Sequence, residues 1–270
     1  MLTQGKQLLT QGKQQGKQPN RQPGCLPRVS NMKRKFPFVV GKIYHIYNRG
    51  VAKCSIYHQD ADRWRFLQGL CLFNDVESAS NILWRLEKSR GELTLGVLKE
   101  YLLNQGKERK PLTRILAYCL MPNHFHLLIE EIQKGGISKF MQKLSQGYAR
   151  YFNNKYQRIG HLWQDRFKNV LVENDRYLLY LLVYINVLNP AELIEPNWKE
   201  RGIKNIKKAL EFAEKYQWST HQEYLGKRKS LIIDKGILGE ILSTPKEYLS
   251  LVRAVLKEKR YEEISHLTLE

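Results

Sequence analysis

The sharpest local chemistry in this chain is the tripeptide His124-Phe125-His126. On a β-strand, residues i and i+2 point to the same face. The two imidazoles therefore project together while Phe125 and Leu127 turn the other way, toward a core. Two adjacent imidazoles are half of a divalent-metal site and need at least one further ligand. No Cys or Asp lies close in sequence to supply it. Two surface histidines on a hydrated sheet face would show the same pattern.

A second set lies on residues 176–188, which read as a helix followed by Pro190. The segment carries Tyr177, Tyr180 and Tyr184, and Asn189 follows it. Residues one helical turn apart share a face, so a tyrosine and an amide near that spacing can offer a nucleophile and a metal ligand side by side. Tyrosines at this spacing are also ordinary core and boundary residues. A third set combines stacking rings with phosphate-binding groups, the mixture found on single-strand nucleic-acid surfaces. It comprises Trp163, Gln164, Arg166 and Lys168 after Gly160, and Tyr47, Asn48 and Arg49 on an early strand. An ordinary amphipathic edge accounts for these equally well.

The elements that position these groups follow from periodicity. Residues 42–49 alternate as a strand. Residues 60–74 have helical spacing, with Asp60 or Asp62 as a candidate cap. Residues 75–111 hold one or two helices, 90–104 being the best candidate. Residues 113–120 and 124–130 form two strands around the turn signal Met121-Pro122-Asn123. A helix over 137–155 follows the chain break at Gly135-Gly136, then a strand over 161–172. The order strand, helix, strand, strand, helix, strand, plus one more helix, predicts an α+β fold. The expected form is a ferredoxin-like βαββαβ antiparallel sheet with helices on one face, followed by a candidate catalytic helix and a mostly helical C-terminal region.

Composition narrows the partner. Forty-five Lys and Arg stand against 26 Asp and Glu, a net charge of +19. A polyanion is the natural partner, nucleic acid or an acidic membrane surface. No apolar run is long enough to span a membrane. Cys25, Cys54, Cys71 and Cys119 form no CxxC pair, which argues against a zinc ribbon or a disulfide scaffold and fits a reducing, cytoplasmic setting.

Residues 1–31 repeat the unit QGKQ and carry no acidic residue. They read as a disordered, low-complexity basic tail, with Met32 as an alternative start. Residues 32–190 then form the chemical domain, and 191–270 a mostly helical C-terminal extension in which Trp198 and Trp218 are packing anchors.

Five segments together resemble the single-tyrosine HUH transposases, in particular the REP-associated tyrosine transposases and the IS200-like family. They are YHIYNRG (44–50), LAYCLMPNHFHLLIE (116–130), GHLWQDRFK (160–168), RYLLYLL (176–182) and YINVLNP (184–190). The resemblance implies that His124 and His126 bind Mg2+ or Mn2+ and that Tyr184 attacks DNA. The product it implies is a 5′-phosphotyrosine at a hairpin-flanked site. The implied partner is single-stranded or hairpin DNA, with the protein a monomer or homodimer.

One departure stands out. The family places its amide four residues after the tyrosine, whereas Asn189 follows Tyr184 by five. On an ideal α-helix that offset turns Asn189 about 100° away from Tyr184. A π-bulge would absorb the extra residue; otherwise the third ligand is lost, or Asn186 or a water replaces it. A hairpin DNA or RNA binder that has lost catalysis is therefore the rival reading.

Overall fold

The computed structural model describes residues 37–77, 82, 88, 95–104 and 109–258. The low-complexity tail at 1–31 and residues 90–94 of the expected 90–104 helix lie outside that set. Four strands make one antiparallel sheet: β1 (Ile43–Arg49), β2 (Thr113–Met121), β3 (His124–Glu131) and β4 (Lys168–Leu171), in the order β2-β3-β1-β4. β1 pairs antiparallel with both β3 and β4. This is the ferredoxin-like arrangement expected from the order of elements.

β1, β2 and β3 alternate their side chains between two covered faces, while the edge strand β4 is largely exposed. Ile46, Leu120, Phe125 and Leu127 point to one face, where they are fully buried against α1 (Asp60–Leu72) and α3 (Gly136–Lys155). A smaller helix, α2 (Leu95–Asn104), lies between α1 and β2 in the chain. Full burial of such a side chain contributes roughly 1.5–3 kcal/mol. The start of α1 is set by a capping box between Gln59 and Asp62, so Asp62 sits at the third helical position and Gln59 is the cap. Asp62 also accepts hydrogen bonds from Lys155 Nζ (2.7 Å) and the Tyr156 hydroxyl (2.7 Å), which ties α1 to the end of α3.

The opposite face carries the histidines, and it is covered as well. Leu116, Ala117, Cys119, Met121 and Leu128 pack there against α4 (Asp175–Val183) and the C-terminal helices. A β-bulge between Ile115 and Ala117 turns both Leu116 and Ala117 to this side. The region after 190 contains α5 (Trp198–Arg201), α6 (Ile206–Lys215), α7 (His221–Tyr224), α8 (Ile237–Ile241) and α9 (Pro245–Glu258). Trp198 and Trp218 are both buried, the first in this second core and the second against Trp64 in the other. Residues of the C-terminal region also hydrogen-bond along β2: Leu120 N–H donates to Trp218 O (2.9 Å), Thr220 N–H to Tyr118 O (3.1 Å) and Asp234 N–H to Ile115 O (3.1 Å).

One expected element is shorter than its sequence pattern. Residues 161–172 alternate like a strand, yet only Lys168–Leu171 is ladder-paired. The chain leaves Gly160 with a positive φ of 96° and lies across the end of β1 instead. There Val51 N–H donates to Leu162 O (2.9 Å) and Gln164 N–H to Arg49 O (3.0 Å). The buried Leu162 holds it there.

Candidate active site

Strand register brings three sequence segments to one point. Tyr47 and Cys119 both lie opposite His126, and Arg49 and Met121 both lie opposite His124. Directly paired residues share a face, so His124, His126, Tyr47 and Arg49 project together. The two-residue turn at Pro122-Asn123 places His124 at the start of β3, where its Nδ1 lies 2.6 Å from Asn123 Oδ1. The amide oxygen can only accept, so Nδ1 carries the proton and Nε2 keeps its lone pair. His126 Nδ1 lies 2.8 Å from His45 Nε2, and its own Nε2 is buried with no hydrogen-bond partner.

Both imidazoles are held neutral. Burial pushes His124 down to about 3, with the Lys199 and Arg49 charges adding to it. Burial likewise pulls His126 well below the ordinary imidazole range, helped by His45, His124 and Lys199. Neutral imidazoles are the form that ligates metal.

Tyr184 comes to the pair from the helical turn that directly follows α4. Its ring meets that of His126 edge-on at 5.4 Å and that of His45 at 6.1 Å. Burial, and after it the Glu192 carboxylate, raises its phenol well above the ordinary value. A cleft is lined by Arg49, Lys53, Asn123, His124, His126, Tyr184, Glu192 and Lys199. Tyr184 and the two histidines thus share one cavity.

The helix changes pitch at the nucleophile candidate. Residues Tyr184–Leu188 are π-helical, and Asn189 N–H bonds back five residues to Tyr184 O before a last α turn, Asn189–Ala191. Pro190 supplies a reason. It has no N–H, and in an α-helix its ring would crowd the carbonyl four residues back, that of Asn186. The wider turn relieves that contact, and the Ser219 hydroxyl donates to the Asn186 carbonyl (3.4 Å). The π segment thereby absorbs the five-residue spacing, bringing Asn189 close to one full turn beyond Tyr184. Asn186 itself faces the C-terminal region: its Oδ1 accepts from the Thr220 hydroxyl (2.6 Å) and its Nδ2 donates to the Tyr248 hydroxyl (3.2 Å). It is therefore a clamp on the π segment and not a group of the cleft.

Asn189 is completely buried, and neither its Oδ1 nor its Nδ2 has a hydrogen-bond partner. Glu192, one turn on, lines the cleft while Asn189 does not. Among the described residues, no group of three or more His, Cys, Asp or Glu side chains is arranged to hold a metal ion. A metal would have to rest on the two imidazoles and an amide. The open lone pair of His124 Nε2 and the unsatisfied His126 Nε2 and Asn189 Oδ1 have the donor chemistry for that.

The aromatic and basic residues expected to bind nucleic acid divide into two kinds. Arg49 lines the cleft, where its guanidinium donates to Gln164 Oε1. Gln164, Arg166 and Lys168 are exposed nearby, Lys168 within 3.9 Å of Asp165. Tyr47 is buried beside His126. Asn48 is buried and structural, bonding to Asp165 O (3.1 Å) and accepting from Arg49 N–H (2.9 Å). Trp163 is half-buried, donates to Ser145 O (3.0 Å) and meets Phe125 edge-on. Sequence reasoning missed His45, Glu192 and Lys199. The strand alternation over residues 42–49 puts His45 on the same face as Tyr47 and Arg49, and that is the signal that could have found it. Glu192 and Lys199 carried no such signal.

Among the described residues no helix is long and apolar enough to cross a membrane. No curated protein matches the chain. A solved structure, "Structure of the REP associates tyrosine transposase bound to a REP hairpin", aligns with 75% of this chain and 93% of its own, at 12% identity and a TM-score of 0.39. The family described as "Transposase IS200 like" matches residues 87–187, a span that includes His124, His126 and Tyr184. Over that span, the chain resembles the IS200-like transposases, a family of DNA-processing enzymes.

Proposed function

We propose that this protein is a metal-dependent single-strand DNA endonuclease and transposase that cuts and rejoins hairpin-flanked DNA through a 5′-phosphotyrosine on Tyr184. The observation that carries this reading is the placement of Tyr184 in one cleft with a neutral histidine pair. Residues 32–190 are read as the catalytic portion. Mg2+ or Mn2+, held by His124, His126 and Asn189, would supply Lewis-acid stabilisation of the charge that builds on the scissile phosphate.

The chain's own residues do the rest. Tyr184 Oη attacks phosphorus and the P–O3′ bond breaks. The phenol proton leaves, and the departing 3′ oxygen takes up a proton to end as a free hydroxyl. The phenol is protonated near neutral pH and burial raises its pKa further, so the attack needs charge compensation from the substrate complex. Arg49, Lys53 and Lys199 provide cationic walls for the phosphate. The phosphotyrosine keeps the phosphodiester energy, so a second strand's 3′-OH can reverse the step without ATP. Gln164, Arg166 and Lys168 lie beside Arg49 as a surface for the flanking single strand.

The test is to incubate labelled hairpins from the flanks of the protein's own gene with the protein and Mn2+ or EDTA, and to read covalent adducts on a denaturing gel. An adduct that needs metal and vanishes in Tyr184→Phe is the expected result. The absence of Asn189 from the cleft wall favours a second reading, a binding protein that no longer cuts. Tight hairpin binding without an adduct under any metal would establish it.

A further inference from the structure

Beyond the matched segment, the chain places two more charged groups in the cleft. Glu192 follows the π-helical stretch by one turn, and Lys199 sits on α5. Trp198, the neighbour of Lys199, is 1% exposed and its ring lies 6.2 Å from that of Tyr184. α5 is therefore anchored against the nucleophile's own helix. Lys199 Nζ stands 3.4 Å from Glu192 Oε2, an oxygen that is buried and accepts no hydrogen bond. The ammonium is thus aimed by an ion pair without being locked by a short one. Its charge reaches both histidines, whose protonation it opposes. Three cations and one carboxylate line the cavity, leaving a cationic excess beside a neutral imidazole pair. A monoanionic phosphodiester fits that balance.

Building on the phosphotyrosine reading, we propose that Lys199 is a further catalytic residue, whose ammonium contacts a non-bridging oxygen of the scissile phosphate, and that Glu192 is the positioning residue that aims it. A plain structural role would make the pair only a surface tether between α5 and the preceding turn. The two roles differ in what the DNA reads.

The experiment uses the full chain and labelled hairpin DNA, with two readouts. One is the salt dependence of hairpin binding in EDTA; the other is the rate of adduct formation in Mn2+. Lys199→Gln should lower the slope of log Kobs against log salt by about 0.7, the value for one single-strand phosphate contact. It should also slow adduct formation by ~100-fold, the loss typical of one transition-state donor, with Lys199→Arg restoring much of it. Glu192→Gln should bind the hairpin as tightly as wild type or more tightly, yet form adduct at least ~10-fold more slowly. A purely structural tether would not split binding from rate in that way. Wild-type salt slope and wild-type rate in Lys199→Gln would overturn the proposal while leaving the tyrosine mechanism standing. If wild type forms no adduct, the tyrosine mechanism fails; an unchanged slope in Lys199→Gln would then overturn the phosphate contact too, and a lowered slope would support it.

Discussion

His45 Nε2 lies 2.8 Å from His126 Nδ1 across the β1–β3 ladder, with the two rings nearly parallel at 13°. A ligand histidine depends on whatever holds its other nitrogen, because that partner fixes ring orientation and tautomer. His45→Ala should therefore weaken Mn2+ binding by about 10–100-fold, measured by calorimetric titration of the protein. His45→Gln, which can still hydrogen-bond, should lose less. Equal affinity in wild type and His45→Ala would remove His45 from the site.

Asn186 joins the π segment to the C-terminal region through Thr220 and Tyr248. Asn186→Leu removes one hydrogen bond from each of two buried hydroxyls, leaving Thr220 with Tyr118 and Tyr248 with His221, at a cost of about 0.5–1.5 kcal/mol per bond. Urea unfolding should show that loss. Adduct formation should fall further than stability alone explains, since Tyr184 opens the segment that Asn186 clamps. A variant with full stability and full activity would show that the clamp is dispensable.

Gly50 follows β1 where the chain turns sharply into Ala52 and Lys53, both left-handed at φ 51° and 58°. A Cβ at Gly50 would sit 2.3 Å from Cys54 O. Backbone cannot withdraw as a side-chain end can, so Gly50→Ala should destabilise the fold by roughly 1–3 kcal/mol. It should also displace Arg49 and Lys53, which line the cleft. A thermal melt of Gly50→Ala indistinguishable from wild type would contradict this packing.

His221 is buried with its Nδ1 2.7 Å from the Tyr248 hydroxyl, and burial lowers it to about 4. The unfolded chain takes up a proton near pH 6.5, while the folded one resists until about 4. Between those values the unfolded state binds more protons, so stability must rise with pH. It is full above about 6.5 and is lost as pH falls toward 4. His221→Gln removes this titration and should flatten the dependence over that window. A melting temperature equally steep in wild type and variant would assign the effect to other groups.

What could be read from the sequence was set by periodicity. The hairpin around Pro122-Asn123 and the two imidazoles on one face follow from a period of two. The five-residue interval between Tyr184 and Asn189, with Pro190 behind it, left a wider helical turn as one of the few ways to keep both groups on one face. What escaped depended on contacts distant in sequence. Asn48 and Trp163 have the composition of a nucleic-acid surface, yet partners more than a hundred residues away for Asn48, and on α3 for Trp163, engage them inside the fold. The covering of the histidine face likewise comes from a region whose helical pattern names no destination.

The bonds that residues 218–234 make along β2 bear on how the protein can be shortened. Strand edges with free N–H and C=O groups are templates for pairing with other chains. A fragment ending near residue 190 would retain the histidines, the tyrosine and the whole sheet, yet expose β2 along with the apolar face beneath the lost helices. Such a fragment would self-associate before its chemistry could be assayed. An inactive truncation would then report insolubility, and only full-length point variants can separate the chemical role of the C-terminal region from its service as a shield.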